Sequence, residues 1–342
     1  MERVRILLSG FGWVGRHFVG LVAERGAELR ARYGVELAIG GAIDSRGGAV
    51  APEGGGLPLD ALAAYADDLS AFPQWGRLGY TTLDALQAGE WRTLVEATPT
   101  DLATGGPARQ HLETALDRGV DVVTATKGPL VVDFAGLRER ARAAGARLKF
   151  GAAVAAALPT FDVAEVALAG TRIEEFAGIL NGTTNFILGR MAETGRPYQH
   201  ALAEAQARGI AEPDPALDVS GNDTAAKIVI LANALYDGGL RLDEVSVTGI
   251  TDVAPIEAMA ARASGGALKL VGRCRREGGR IVAAVAPEQL GGDDLLSRVN
   301  GAEKGIVFQT DTMGRLFVSG GKSDPRGAAA ALLRDVLNLY RW

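Results

Sequence analysis

The chain has 342 residues, 47% of them hydrophobic and 23% charged, with a formal net charge of −5. That length suits two domains of ordinary size, each with enough material for a core, and the acidic balance leaves no broad basic field for nucleic acid or for an anionic membrane surface. The single cysteine, Cys274, cannot form an internal disulfide, and the opening Met-Glu-Arg-Val-Arg runs into a strand pattern in place of a signal peptide, which makes the cytoplasm the expected location.

In chain order, the first 150 residues alternate short β-branched runs with longer helical patterns, the signature of a parallel sheet covered by helices. A strand is expected at 4–9, a glycine-rich turn and helix to about Arg25, a second strand at 35–43 ending in Asp44, and a loop at 46–58. Further strands are expected at 94–97, 120–123 and 147–150, joined by helices at 107–118 and 134–144. The most apolar stretch, 152–161, falls short of the roughly 20 residues that span a bilayer and is broken by Pro159. Beyond it the rhythm changes, with strands expected at 173–177, 245–250, 267–274 and 280–286 and a hairpin within 305–319. A final helix starts at Pro325 and carries Ala329, Leu332, Leu333, Val336 and Leu337 on one face. The organisation is therefore α/β throughout: a dinucleotide-binding domain at 1–150, a second α/β domain at 151–320, and a C-terminal segment at 321–342 that packs back on the first domain.

Gly10, Gly12 and Gly15 have the Gly-x-Gly-x-x-Gly spacing, directly after a strand and opening a helix. The first permits a tight turn, the second lets backbone approach a pyrophosphate, and the third lets helix and strand pack closely, with Trp13 and Val14 between them. Asp44, followed by Ser45, stands where a carboxylate accepts from a ribose 2'-hydroxyl, which favours NAD; Arg46 keeps NADP open, because a guanidinium suits a 2'-phosphate. Thr98, Pro99 and Thr100 end a strand at the carboxyl edge of the sheet, where ligands lie in such folds; these hydroxyls are expected to touch the nicotinamide, although Thr before Pro also makes a plain turn.

The densest polar stretch is 212–227, with Glu212, Asp214, Asp218, Asp223 and Lys227. Pro213 and Pro215 keep its first part out of helix, whereas Ile228, Leu231 and Leu235 mark a buried helical face on which Asp223 and Lys227 lie one turn apart. Alone, this reads first as a solvated acidic loop with a surface ion pair. Similarly, Asn181 and the threonines before Phe186 would serve as a helix cap. His17, His111 and His200 form no metal-ligand spacing and are expected at the surface or in packing, and no serine or cysteine nucleophile motif is present.

Together, Gly-Phe-Gly-Trp-Val-Gly, Thr-Ala-Thr-Lys-Gly-Pro-Leu around Lys127, Ile-Leu-Asn-Gly-Thr-Thr-Asn-Phe-Ile-Leu and the 212–227 stretch resemble homoserine dehydrogenase of the short form, over nearly the whole chain. The resemblance implies a Rossmann domain, a substrate and dimerisation domain, NAD or NADP as cofactor, a small amino-acid substrate and a homodimer. It further implies that Lys127 and Lys227 stabilise and protonate the reacting oxygen, that Asp223 orients Lys227, and that Glu212 and Asp218 hold the substrate's ammonium and hydroxyl end. Gly182 and Thr183 would lie between nicotinamide and substrate, and Glu212 and Lys127 would also border the cofactor.

Three positions depart from the family pattern. Thr126 replaces the usual Asn before the lysine. Gly151 replaces a glutamate that helps hold a monovalent cation, leaving only the backbone of Val154 and Ala156 as ligands, so no metal is assigned. A Gly-Gly-Lys-Ser-Asp run containing Lys322 replaces a small-residue loop and puts a positive charge near the cofactor. The alternatives are a reductase of another small amino-acid semialdehyde and a non-catalytic NAD(P)-binding regulator.

Overall fold

The computed structural model describes residues 1–65, 67–321 and 323–340, and the chain folds as two units, Met1–Ala156 with Pro325–Trp342, and Ala157–Asp324.

The first unit is built on seven strands, β1 (Glu2–Ser9), β2 (Val35–Asp44), β3 (Gly47–Val50), β4 (Gly76–Leu78), β5 (Thr93–Glu96), β6 (Asp121–Thr124) and β7 (Leu148–Lys149). Their order is β4-β3-β2-β1-β5-β6-β7. β1 pairs in parallel with both β2 and β5, and β6 and β7 continue the parallel side. Val4, Ile6, Leu7 and Leu8 are all fully buried, because helices cover both faces of the sheet and an unbroken apolar run is what such a strand requires. The chain leaves β1 for β2 on one side and reaches β5 on the other, so the carboxyl end of β1 is the topological switch point where open α/β sheets bind ligands.

Three local differences from the sequence expectation have physical reasons. The first helix spans Trp13–Tyr33 and does not end near Arg25, because the buried stripe of Phe18, Leu21 and Val22 continues at Leu29, and Gly34 in the left-handed region ends it. The expected loop at 46–58 contains β3, antiparallel to β2 and β4; a Cβ on Gly47 would stand 2.2 Å from the Arg77 carbonyl oxygen, so only glycine allows this approach. The helix expected from 134 begins at Gly128, with a break at Asp133 whose carboxylate accepts from the Gly136 N–H at 2.9 Å. The C-terminal helix Pro325–Tyr340 packs on Trp13–Tyr33, with Leu332 and Val336 in one core with Phe18 and Val22.

The second unit holds β8 (Ile173–Ile179), β9 (Ser246–Val247), β10 (Ala267–Glu277), β11 (Arg280–Leu290), β12 (Lys304–Thr310) and β13 (Arg315–Gly320), in the order β13-β12-β8-β10-β11-β9. The strand expected at 245–250 shrinks to two residues at the sheet edge, paired only with β11. Helices Gly182–Thr194 and Asn222–Tyr236 lie on the face that carries Phe176, Gly272 and Cys274; Ile228 comes so close to Gly272 that a Cβ there would meet it at 2.7 Å. Cys274 is buried at 1% exposure, and the apolar surroundings push its thiol up to about 12. No helix among the described residues is long and apolar enough to cross a membrane.

Candidate active site

The first unit places its motif residues around a crevice. Gly10 has φ +93, and a Cβ there would stand 2.6 Å from the Ala97 backbone; a Cβ on Gly15 would stand 2.1 Å from the Gly10 carbonyl oxygen. Both positions thus need glycine for the turn itself. Gly12 does not: its φ is −72 and a Cβ would meet nothing within 4 Å. The space above it is clear, in front of a helix start with no acidic residue in its first turn and no side-chain cap, an arrangement suited to an anion. Trp13 is 75% exposed beside this opening and Val14 is half-buried.

Alongside runs a cavity of about 260 Å³ lined by residues that include Gly10, Ile43, Asp44, Ser45, Tyr80, Thr98, Pro99 and Pro107. Tyr80 and Pro107 were not singled out by sequence; Tyr80 comes from the turn ahead of helix Thr82–Ala88 and Pro107 from the first turn of helix Gly106–Asp117, and only the topology brings them to the switch point. Asp44 and Ser45 are exposed, with the Ser45 N–H donating to the Asp44 carboxylate at 2.8 Å. Arg46 turns toward Asp68, whose carboxylate stands 3.6 Å from its guanidinium. The Thr98 hydroxyl donates to Glu96, which leaves its oxygen as an acceptor on the crevice, and the Thr98 carbonyl accepts from Thr126 at 2.8 Å. Thr100 accepts from the Lys127 backbone N–H at 3.3 Å, tying the loop after β5 to the residue at the head of helix Gly128–Ala144. Lys127 itself is half-buried.

The second unit gathers the other set. Asn181 caps helix Gly182–Thr194 by accepting from the Thr184 N–H at 2.9 Å, while its amide donates to Asp218 at 2.7 Å and to Asp223 at 2.9 Å. One side chain is therefore both helix cap and hub of the polar cluster. Lys227 Nζ donates to Asp223 at 2.5 Å and to the Leu180 carbonyl at 2.7 Å. Asp223 is 5% and Lys227 8% exposed, so the surface-pair reading of this stretch does not hold. Burial, with the Asp223 charge next to it, pushes the Asp218 carboxyl up from its ordinary value. Thr183 is buried and donates to the Ile210 carbonyl at 3.1 Å, and Gly182 has the Ala302 carbonyl oxygen 2.5 Å from where a Cβ would lie. Glu212 and Asp214 remain exposed and are not hydrogen-bonded to the cluster. Lys322 lies outside the described residues.

A buried aspartate–lysine pair, a second raised carboxylate and a positioned amide are what binding and protonating a small polar substrate need. A family model for homoserine dehydrogenase matches residues 159–337, which contain this cluster. The chain is also 35% identical over 347 residues to the NAD(+)-dependent homoserine dehydrogenase of Pseudomonas canavaninivorans, covering 100% of this chain and 97% of that one. The chain belongs to the homoserine dehydrogenase family. The homoserine dehydrogenase of Methanocaldococcus jannaschii is 34% identical over 340 residues, covering 98% of each chain. A hyperthermophilic archaeal homoserine dehydrogenase in complex with NADPH shares the fold at a TM-score of 0.83 and 26% identity, covering 98% of this chain and 97% of that one.

The monovalent-cation site that the resemblance implies does not fit the residues of this family member. Where a carboxylate would stand, a Cβ on Gly151 would meet the Arg334 guanidinium at 2.5 Å and the Asp335 carboxylate at 2.9 Å. Arg334 and Asp335 pair at 3.0 Å, and Asp335 also accepts from the Ala152 N–H at 3.2 Å. The guanidinium already supplies positive charge beside the helix Gly151–Ala155 that carries Val154, and Ala156 follows at φ +51.

Proposed function

We propose that this chain is an NAD(P)-dependent oxidoreductase interconverting L-homoserine and L-aspartate 4-semialdehyde by hydride transfer with lysine-assisted proton transfer. The observation that carries this reading is the hydrogen-bonded set of buried Asn181, Asp223 and Lys227 with half-buried Asp218, which lies inside the stretch that matches the family. A bound nicotinamide exchanges the hydride; the remaining tasks fall to the chain's own side chains. Lys227, oriented by Asp223, and Lys127, at the head of helix Gly128–Ala144, stabilise the oxygen that gains charge and pass it a proton. Asp218 and the exposed Glu212 hold the substrate's ammonium and hydroxyl end, and Gly182 and Thr183, in the first turn of helix Gly182–Thr194, lie between substrate and cofactor.

Gly10, Gly12, Trp13, Val14 and Gly15 receive the pyrophosphate, and Asp44 with Ser45 receives the adenosine ribose. The relatives named above include one described as NAD(+)-dependent and one bound to NADPH. In this chain Asp44 is exposed on the crevice and Arg46 is engaged by Asp68, which supports NAD over NADP. The first unit is the dinucleotide-binding part; the second carries substrate binding and, through its sheet, a homodimer. A cytoplasmic location agrees with one cysteine that is buried and has no second cysteine to bond.

The test is an initial-rate assay of L-homoserine oxidation with NAD and with NADP in parallel, repeated with an analogue lacking the amino group. Turnover of homoserine with NAD and failure of the analogue support the reading. Turnover of the analogue at the same rate would point to another semialdehyde, and tight cofactor binding without turnover to a regulator.

A further inference from the structure

Glu96 ends β5 with 0% exposure, paired across the sheet with two buried hydroxyl residues, Ser9 and Thr124. Taking a carboxylate out of water is costly unless donors surround it. Here they do: the Thr98 N–H donates to Glu96 Oε1 at 2.9 Å, the Thr98 hydroxyl donates to the same oxygen, and His111 Nδ1 meets Oε2 at 2.9 Å. His111 comes from helix Gly106–Asp117 and is 8% exposed, so it is neither a surface residue nor a mere packing residue. Ser9, the last residue of β1, reaches His111 Nδ1 at 3.3 Å and the Thr82 hydroxyl at 2.9 Å. The arrangement is not a hydrolytic triad: serine and carboxylate address the same ring nitrogen, so the imidazole cannot relay a proton between them.

Its position says what it does. Ser9, Thr82, Thr98 and His111 all line the 260 Å³ crevice, and Glu96 stands behind them. The five side chains come from two strand ends, the turn after β5 and two helices, and Glu96 with His111 is the link that ties the turn to the helix. Proposed binding of a dinucleotide in this crevice is the reading on which the next step rests. We propose that Glu96 and His111 form a positioning pair that sets cofactor affinity by holding the Thr98–Pro99 corner as one wall of the adenosine end of the crevice. Neither residue touches the reacting atoms. A pair serving only to hold the fold would leave cofactor affinity unchanged once the protein is folded.

The test compares wild type with His111→Ala, His111→Asn and Glu96→Gln, by fluorescence titration with NADH and by steady-state kinetics at saturating cofactor. An asparagine amide can stand in for the Nδ1–H, so His111→Asn should bind NADH within about threefold of wild type. His111→Ala and Glu96→Gln, each losing a charge-assisted hydrogen bond, should bind roughly tenfold more weakly or worse, with kcat and the homoserine KM unchanged. Thermal melting identifies folded variants; should His111→Ala not fold, Glu96→Gln and His111→Asn decide. Wild-type affinity in Glu96→Gln, or loss in His111→Asn equal to that in His111→Ala, would overturn the proposal. A wild type that binds neither NADH nor NADPH would instead overturn the cofactor reading itself.

Discussion

Replacing Asp223 by Asn tests the buried pair at the centre of the second unit. If Asp223 and Lys227 were solvated, the loss would be at most about 1 kcal/mol, the range of exposed ion pairs. They are 5% and 8% exposed, and their atoms stand 2.5 Å apart. Removing one partner of a buried pair costs about 3–5 kcal/mol, because the other charge stays desolvated. The lower end applies here, since the Leu180 carbonyl still accepts from Lys227 at 2.7 Å and the new amide oxygen can accept in place of the carboxylate. Urea unfolding of Asp223→Asn should therefore show a loss of about 3 kcal/mol in the unit that contains it. Turnover should fall by roughly 10²-fold, because Lys227 loses its orienting partner, while NADH affinity stays as in wild type. Stability within about 1 kcal/mol of wild type would place the pair in the exposed range and refute the burial argument. Near-normal kcat would refute the orienting role even if stability fell.

Asp218 has its carboxyl pushed up by burial and then by the Asp223 charge; as pH falls through this raised value the carboxylate is lost, so the homoserine KM should rise in weak acid, where an ordinary aspartate would still be charged, and a KM flat down to the usual aspartate range would contradict its role. Lys269 is 3% exposed and donates to Asn185 at 2.8 Å and to the Val299 carbonyl, and burial brings its amine from 10.5 down to about 8. Between those values the unfolded chain holds a proton that the folded chain does not, so folding stability rises with pH; relative to Lys269→Met, wild type should gain roughly 3 kcal/mol from pH 8 to 10.5 in urea titrations, and parallel curves would disprove it. Asp44→Ser removes the carboxylate proposed to receive the ribose, and should lower the NAD-to-NADP ratio of kcat/KM by roughly tenfold; an unchanged ratio would remove Asp44 from cofactor choice.

The glycine fingerprint was legible because two of its three positions answer to sterics alone: Gly10 and Gly15 leave no room for a Cβ. The acidic stretch was legible as a cluster, but its environment was not, since the same spacing suits a surface pair until the helix that carries it is seen to be buried. Asn181 looked like either a cap or a site residue; the folded chain uses its oxygen for one task and its amide for the other, which no local pattern encodes. Glu96 was missed although a charge closing the buried strand Thr-Leu-Val-Glu was a signal, because its partner His111 is fifteen residues on and joins it only through the βα turn. The strand β3 hid in a glycine-rich segment for the opposite reason: glycine there permits close backbone pairing, whereas in sequence it reads as a loop.

The central claim of the proposed function is that Lys127 serves the reacting oxygen of an amino-aldehyde. Its most direct test is the turnover of L-homoserine by Lys127→Met, measured together with NADH binding by the same preparation. The account predicts turnover lowered by roughly 10²-fold or more with NADH affinity retained. Turnover equal to wild type with the cofactor bound would contradict it.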